Sequence, residues 1–435
     1  LVSEPPPSLP ADAGIPQLTE HLFRHEAGKL VSALTGIFGT ARLQLAEDVV
    51  QEAMIRALQM WPYHGIPANP AAWLMQTAKN RALDAIRREK SFHEKQPEII
   101  ASLDRWSGES LNAEEPAHDD EIQDDRLRLI FACCHPLLAR DDQTALALKT
   151  LCGLSPAEIS NAFLTTEVAI NKRLTRARQK IRDLGIPFEI PSGTELATRL
   201  DGVLQTLYLV FNEGYKASSG DNLIREDLCA EAIRLASLLA GHPATSQPRT
   251  HALLALMLLN AARLPGRVDS DGNILRLQEQ DRSTWHQPMI GQGLLHLSRA
   301  AEGGLLSEYH LQAVIAASHA TAADDASTDW QGILARYDQW MEINDSPVIA
   351  LNRAVALAKV QGPAAGIEAV EAIRPRKPIE SYYLVHAVLG EFEAQQGNFR
   401  AAVAHLQKAL HLAELKSEQA FLLKQLQGYE AHPSL

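Results

Sequence analysis

The sequence predicts an all-α protein, and three observations carry that prediction. Apolar residues recur at three- and four-residue steps from Gln17 almost to the end, alternating strand patterns are nearly absent, and helix starts carry capping signatures. The best marked stretch is residues 155–182. Ser155 suits an N-cap, Pro156 the first helical position, and Glu158 stands at capping-box distance. A polar break at Thr165-Thr166 offers the cap of a second helix. Its apolar residues Val168, Ile170, Leu174, Ala177 and Ile181 are expected on one buried face, and Lys172, Arg173, Arg176, Arg178, Lys180 and Arg182 form a basic face. Two short helices, a tight turn and a basic second helix match the helix-turn-helix pattern, whose second helix enters the DNA major groove.

Residues 1–16 hold Pro5, Pro6, Pro7, Pro10 and Pro16 and read as a flexible tail. Residues 46–58 form an amphipathic helix with Val49, Ala53 and Leu58 inward and Asp48, Glu52 and Arg56 outward. A Pro-studded loop at 61–70 follows. The helix at 71–88 turns basic toward its end, with Lys79, Arg81, Arg87, Arg88 and then Lys90. Trp73 in that helix reads as core. Residues 98–125 carry ten acids against the single Arg105, with Gly108 and Pro116 and little apolar periodicity, as a tether would. Cys133, Cys134 and His135 invite a metal reading with Cys152. Adjacent cysteines do not share one ion readily and no second pair exists, so a buried helix end is expected and no metal.

Beyond residue 187 the basic clustering stops. Residues 196–211 and 223–240 are amphipathic, 253–264 is apolar enough for a buried helix, and 265–273 is a Gly/Asp-rich loop. Leu389, Gly390, Gly397, Phe399, Ala402, Ala409 and Leu410 fall at the packing positions of a tetratricopeptide-like helix pair, and Gly362 marks a weaker copy at 348–373. Such pairs stack into a concave surface for a peptide or a neighbouring domain.

At 435 residues the chain holds several domains, and 46% hydrophobic with 22% charged residues suits a globular protein. A net charge of −12 excludes a protein that coats nucleic acid indiscriminately, so DNA contact must come from local basic faces. The four cysteines form no disulfide framework and suit a reducing cytoplasm. No apolar run approaches the roughly 20 residues of a membrane span.

Glu47-Asp48-x-x-Gln51-Glu52-Ala53, then Trp73-Leu74 and Ala78-x-Asn80-Arg81-Ala82-x-Asp84-x-x-Arg87-Arg88, then the basic helix-turn-helix, resemble the bacterial extracytoplasmic-function sigma factors of RNA polymerase. The rest of the chain resembles a group in that family with a long C-terminal helical extension bearing tetratricopeptide-like repeats. The resemblance implies a tail (1–16), a sigma region 2 helical bundle (17–92), an acidic linker (93–124), a sigma region 4 helix-turn-helix (125–187), a helical extension (188–345) and repeats (346–435). It further implies that Asp48, Glu52 and Arg56 dock on core polymerase. Trp61, Lys79, Asn80, Arg81, Arg87 and Arg88 would then serve the −10 DNA, and Asn171, Lys172, Arg173, Arg176, Arg178 and Lys180 the −35 DNA. The implied partners are core RNA polymerase, promoter DNA and a protein or peptide on the repeats. No cofactor, no enzymatic activity and a cytoplasmic location are expected. A second class stays open: an all-α enzyme or ligand-sensing domain fused to a helix-turn-helix regulator. Asp281, Arg282, Trp285, His286, Asn352 and Arg353 are its candidate centre, with buried Asp–Arg pairing as the structural account of them.

Overall fold

The computed structural model describes residues 15–88, 124–163, 165–186, 191, 193–217, 224–269, 274–374, 379, 382–413 and 415–432. Among these are eighteen α-helices, a few 3-10 turns and one isolated antiparallel bridge, Val268 to Ile274, with no strand. The linker at 93–123, Lys90 and most of the N-terminal tail lie outside the described residues. The chain divides into two units, Leu1–Thr206 and Leu207–Leu435.

The first unit begins with α1 (Ile15–Phe38), α2 (Leu43–His64) and α3 (Pro70–Arg88). Leu34, Val49, Ala53, Ala57, Leu74 and Ala78 are buried among them. Leu58 is exposed instead of buried: Val49, Ala53 and Ala57 follow at four-residue steps, and Leu58 stands one residue past that line. Next come α4 (Asp125–Cys133), α5 (Arg140–Cys152), α6 (Pro156–Ala162) and α7 (Glu167–Leu184). Asp124 caps α4 by accepting from the backbone N–H of Arg126 and Leu127. Cys133 and Cys134 are buried, and burial pushes the Cys134 thiol up to about 12, which leaves it an inert core group. Helix α1 packs on α2 and also on α4 and α5, so the two halves of this unit share one body. Helix α8 (Thr194–Tyr215) contributes its first half to this unit: Arg199 donates to the Phe131 carbonyl, and Gly202 leaves room for Gln143 and Cys134.

The second unit is built around α10 (Pro248–Ala261), in which every residue from Thr250 to Leu259 is buried. It is wrapped by α9 (Glu226–Gly241), α11 (Gln287–Ala300) and α12 (Glu308–Thr321). A helix hydrophobic all round belongs at the centre of a core. After α13 (Trp330–Ile343) come two helix pairs and a closing helix. These are α14 (Pro347–Gln361) with α15 (Pro363–Ile373), α16 (Tyr383–Gln395) with α17 (Phe399–Leu412), and α18 (Lys416–Glu430). Gly362 and Gly397 turn the two pairs at φ 94° and 81°, a region that favours glycine. The residues weighed as an enzyme centre have structural partners. Asp281 accepts from Ser283, Arg282 donates to the carbonyls of His319 and Ala322 at the end of α12, and His286 caps α11. Arg353 pairs with Asp338 at 2.6 Å on the surface, so the Asp–Arg pairing is neither buried nor made by Asp281.

Two histidine pairs stack inside this unit, His251 on His296 and His386 on His405. Burial, then the neighbouring cations or partner ring, holds His296, His319 and His386 down to about 4. The unfolded value is about 6.5, so the fold favours the neutral rings. Their contribution is complete above about 6.5 and is lost as pH falls toward 4, because the unfolded chain then binds more protons. The urea midpoint of the full chain at pH 5 should therefore lie below that at pH 7. His296→Gln together with His386→Gln should flatten this dependence, and equal midpoints at the two pH values would contradict the account.

Candidate nucleic-acid interface

The two helices of the motif start where their side chains cap them. Ser155 accepts from the Glu158 N–H at 3.2 Å, and the Glu158 carboxylate accepts from the Ser155 N–H at 2.7 Å, with Pro156 at the first helical position. Thr166 caps α7 through the Ala169 N–H, and Gly185 ends it in the left-handed region at φ 57°. Ile170, Leu174, Ala177 and Ile181, at steps of four, three and four, form the buried seam of α7. Val168 is 64% exposed, contrary to the expectation from the sequence. It lies two residues from Ile170, about 200° around the helix, and so faces away from the seam.

That seam sorts the basic residues. Asn171, Lys172 and Lys180 are exposed. Arg176 is exposed and reaches Asp142 at 3.4 Å. Arg173, nearer the seam, meets Asp141 at 3.2 Å and lies over the Phe163 ring. Asp141 and Asp142 are the acids of the first turn of α5, where a helix N-terminus favours them. Arg178 differs from the others. It donates to Glu47 at 2.6 Å, and the second Glu47 oxygen accepts from the Thr150 hydroxyl at 2.7 Å. Both charged side chains are about 85% buried, so a residue of α2 holds a residue of α7. The sequence names Glu47 within a motif but assigns it no partner, because that partner lies 131 positions away.

On the other half of the unit, Asp48, Glu52 and Arg56 are exposed along one stripe of α2. Ile55 and Leu58 are exposed beside them, an apolar addition the sequence reading did not contain. Glu52 meets Arg81 at 3.3 Å. Helix α2 continues to His64 and stops at Gly65 (φ 80°), so the loop is shorter than 61–70 and Trp61 is helical. Trp61 is 2% exposed and packs edge-on against Trp73, which is itself half-buried. Lys79 is buried at 8%, whereas Asn80 is exposed and accepts from Gln76. Arg87 and Arg88 belong to α3, but their side chains lie outside the described residues. The exposed aromatic of this segment is Tyr63, at 86%. Among the described residues no group of three His, Cys, Asp or Glu gathers as metal ligands, and no helix is long and apolar enough to cross a membrane.

Comparison with known proteins agrees with this arrangement. Residues 22–92 match the family model of sigma-70 region 2, residues 128–181 that of sigma-70 region 4, and residues 199–301 a family of unknown function. An uncharacterised protein of Rhizobium meliloti is 40% identical over 90% of this chain and 92% of its own length. The ECF RNA polymerase sigma factor SigM of Bacillus subtilis is 30% identical over 32% of this chain and 79% of its own. The corresponding figures for the ECF RNA polymerase sigma factor SigL of Mycobacterium tuberculosis are 31%, 32% and 77%. No solved structure matches.

The Glu47–Arg178 pair yields a stability prediction. Removing one member leaves the other charge largely buried without its ionic partner, a loss of about 2–4 kcal/mol after allowance for the residual exposure. Glu47→Ala and Arg178→Ala should each lower the urea midpoint of the full chain. The double variant should lose about 1–3 kcal/mol less than the sum; strictly additive losses would show that the two do not act together.

Proposed function

Because the chain belongs to the extracytoplasmic-function sigma factors of RNA polymerase, we propose that its two exposed faces divide the work of promoter recognition between them. A factor of this family binds core RNA polymerase and promoter DNA and directs transcription initiation. The polymerase face is the α2 stripe of Asp48, Glu52 and Arg56, with Ile55 and Leu58. Exposed apolar side chains between charges are what a desolvated protein interface uses. The −35 face is the outer side of α7, with Asn171, Lys172, Arg176 and Lys180 open and Arg173 at its edge. The −10 face is the end of α2 with α3: Asn80 and Arg81 toward the strand, Arg87 and Arg88 as further cations in the sequence of α3, and Tyr63 as the aromatic on which an unpaired base stacks. Trp61 and Lys79 act from behind as packing residues.

The observation that carries this reading is the match of two separate segments to the two sigma regions, with a capped helix-turn-helix in the second. Transcription from a cognate promoter by purified chain and core polymerase tests it. Reversing Asp48 and Glu52 to Lys should abolish co-purification with core enzyme, since loss of partners at a desolvated charged contact costs about 2–5 kcal/mol each. Wild-type co-purification by that variant would remove the α2 assignment.

The extension works, in this reading, as a positive requirement, its helix pairs meeting a protein or peptide partner. Support comes from α8, whose first half packs on α4 within the DNA-binding unit. A tethered domain acts at an effective concentration that reaches about millimolar, so a weak contact suffices. A stop codon after Arg374 removes α16–α18 and should lower reporter transcription several-fold at equal soluble protein. Activity equal to or above that of the full chain would make these helices a brake or a passenger.

A further inference from the structure

Four residues of α7 lie opposite its buried seam. Val168, Lys172, Thr175 and Gln179 follow at steps of four, three and four, and their mean direction is within about 20° of straight away from Ile170, Leu174, Ala177 and Ile181. All four are exposed. If α7 lies in the major groove, as proposed above, this stripe points deepest into it. Residues in the first turns of such a helix meet the base edges, and those farther along meet phosphates. Val168 is the second residue of the helix after the Thr166 cap. The residue best placed to touch a base edge is therefore an apolar one.

Its neighbours sharpen the point. Thr175 donates its hydroxyl to the Asn171 carbonyl, and the Gln179 amide donates to Asp183. Arg176 and Arg173 are held at the flanks by Asp142 and Asp141. Val168 belongs neither to the seam nor to the cores described for this unit. The major groove presents a single apolar group, the C5-methyl of thymine, and small aliphatic side chains recognise it. We infer that Val168 reads a thymine methyl in the −35 element and is a specificity-determining residue of this factor. Lys172 and Arg176 beside it supply affinity without reading that base.

Thymine and uracil differ in this methyl alone, which gives a direct test. Holoenzyme assembled from the full chain and core polymerase is footprinted on a cognate promoter, and each thymine of the protected −35 element is replaced singly by deoxyuridine. At one position the wild type should bind about fourfold more weakly, the effect of losing one buried methyl. Val168→Ala, a change compatible with the helix that withdraws the two branch methyls, should discriminate thymine from uracil clearly less than the wild type at that position. Wild-type binding indifferent to every replacement, a Val168→Ala variant that keeps the full discrimination, or a −35 element without an A·T pair overturns the inference. Absence of any −35 protection would instead fault the placement of α7, so the two failures are distinguishable.

Discussion

The buried seam of α7 is the constraint on which the DNA-binding unit depends. Ile170, Leu174, Ala177 and Ile181 are each almost wholly removed from water. Each larger one contributes about 1.5–3 kcal/mol by its burial. That sum exceeds what any surface charge pair offers, so the seam decides how the helix is rotated and the charged residues take the directions left over. A rotation by one residue, about 100°, would bury Arg178 and Arg182, or Arg173 and Lys180, and turn the leucine and isoleucines toward water. The direction of every other side chain on this helix, Val168 included, follows from that one choice.

Charge then acts at two strengths. Arg176 pairs with Asp142 through a solvent-exposed guanidinium, so screening holds the contribution to about 0–1 kcal/mol and the cation is easily exchanged to a phosphate. Glu47 with Arg178 and Thr150 is mostly out of water, and both carboxylate oxygens are satisfied. Its guanidinium is occupied by the protein itself in this conformation. The outer cations are therefore the mobile part of the basic face, and Arg178 is part of the framework joining α2 to α7.

Much of this was legible in the sequence where the deciding interaction is local. Caps at Ser155 and Thr166, the central burial of α10 and the turns at Gly362 and Gly397 each depend on residues within a few positions of one another. Faces were read less well at helix ends. Leu58 and Val168 were placed inward because they are apolar, although their phase puts them outside. Trp61 and Lys79 sit in the interior of the bundle, which no spacing along one helix reveals. Glu47 was hidden for a third reason: its role exists only once two segments more than a hundred residues apart are brought together. Local rules fix where a helix begins and which way it turns; partners are set by the packing of the whole unit.

Affinity and specificity for DNA rest on different groups, and the chain's charge separates them further. Phosphate contacts by lysine and arginine bind any sequence and weaken steeply with salt. A molecule of net charge −12 limits such binding, because local basic strips such as that of α7 must oppose the general repulsion between the chain and DNA. Adding cations would strengthen attachment everywhere on a genome without improving the choice of site. Discrimination must come from groups whose interaction differs between bases, and these need carry no charge. An uncharged side chain at the outermost point of a basic helix gains nothing from the phosphate backbone. Its placement there is favourable only where a base edge offers it a matching apolar surface.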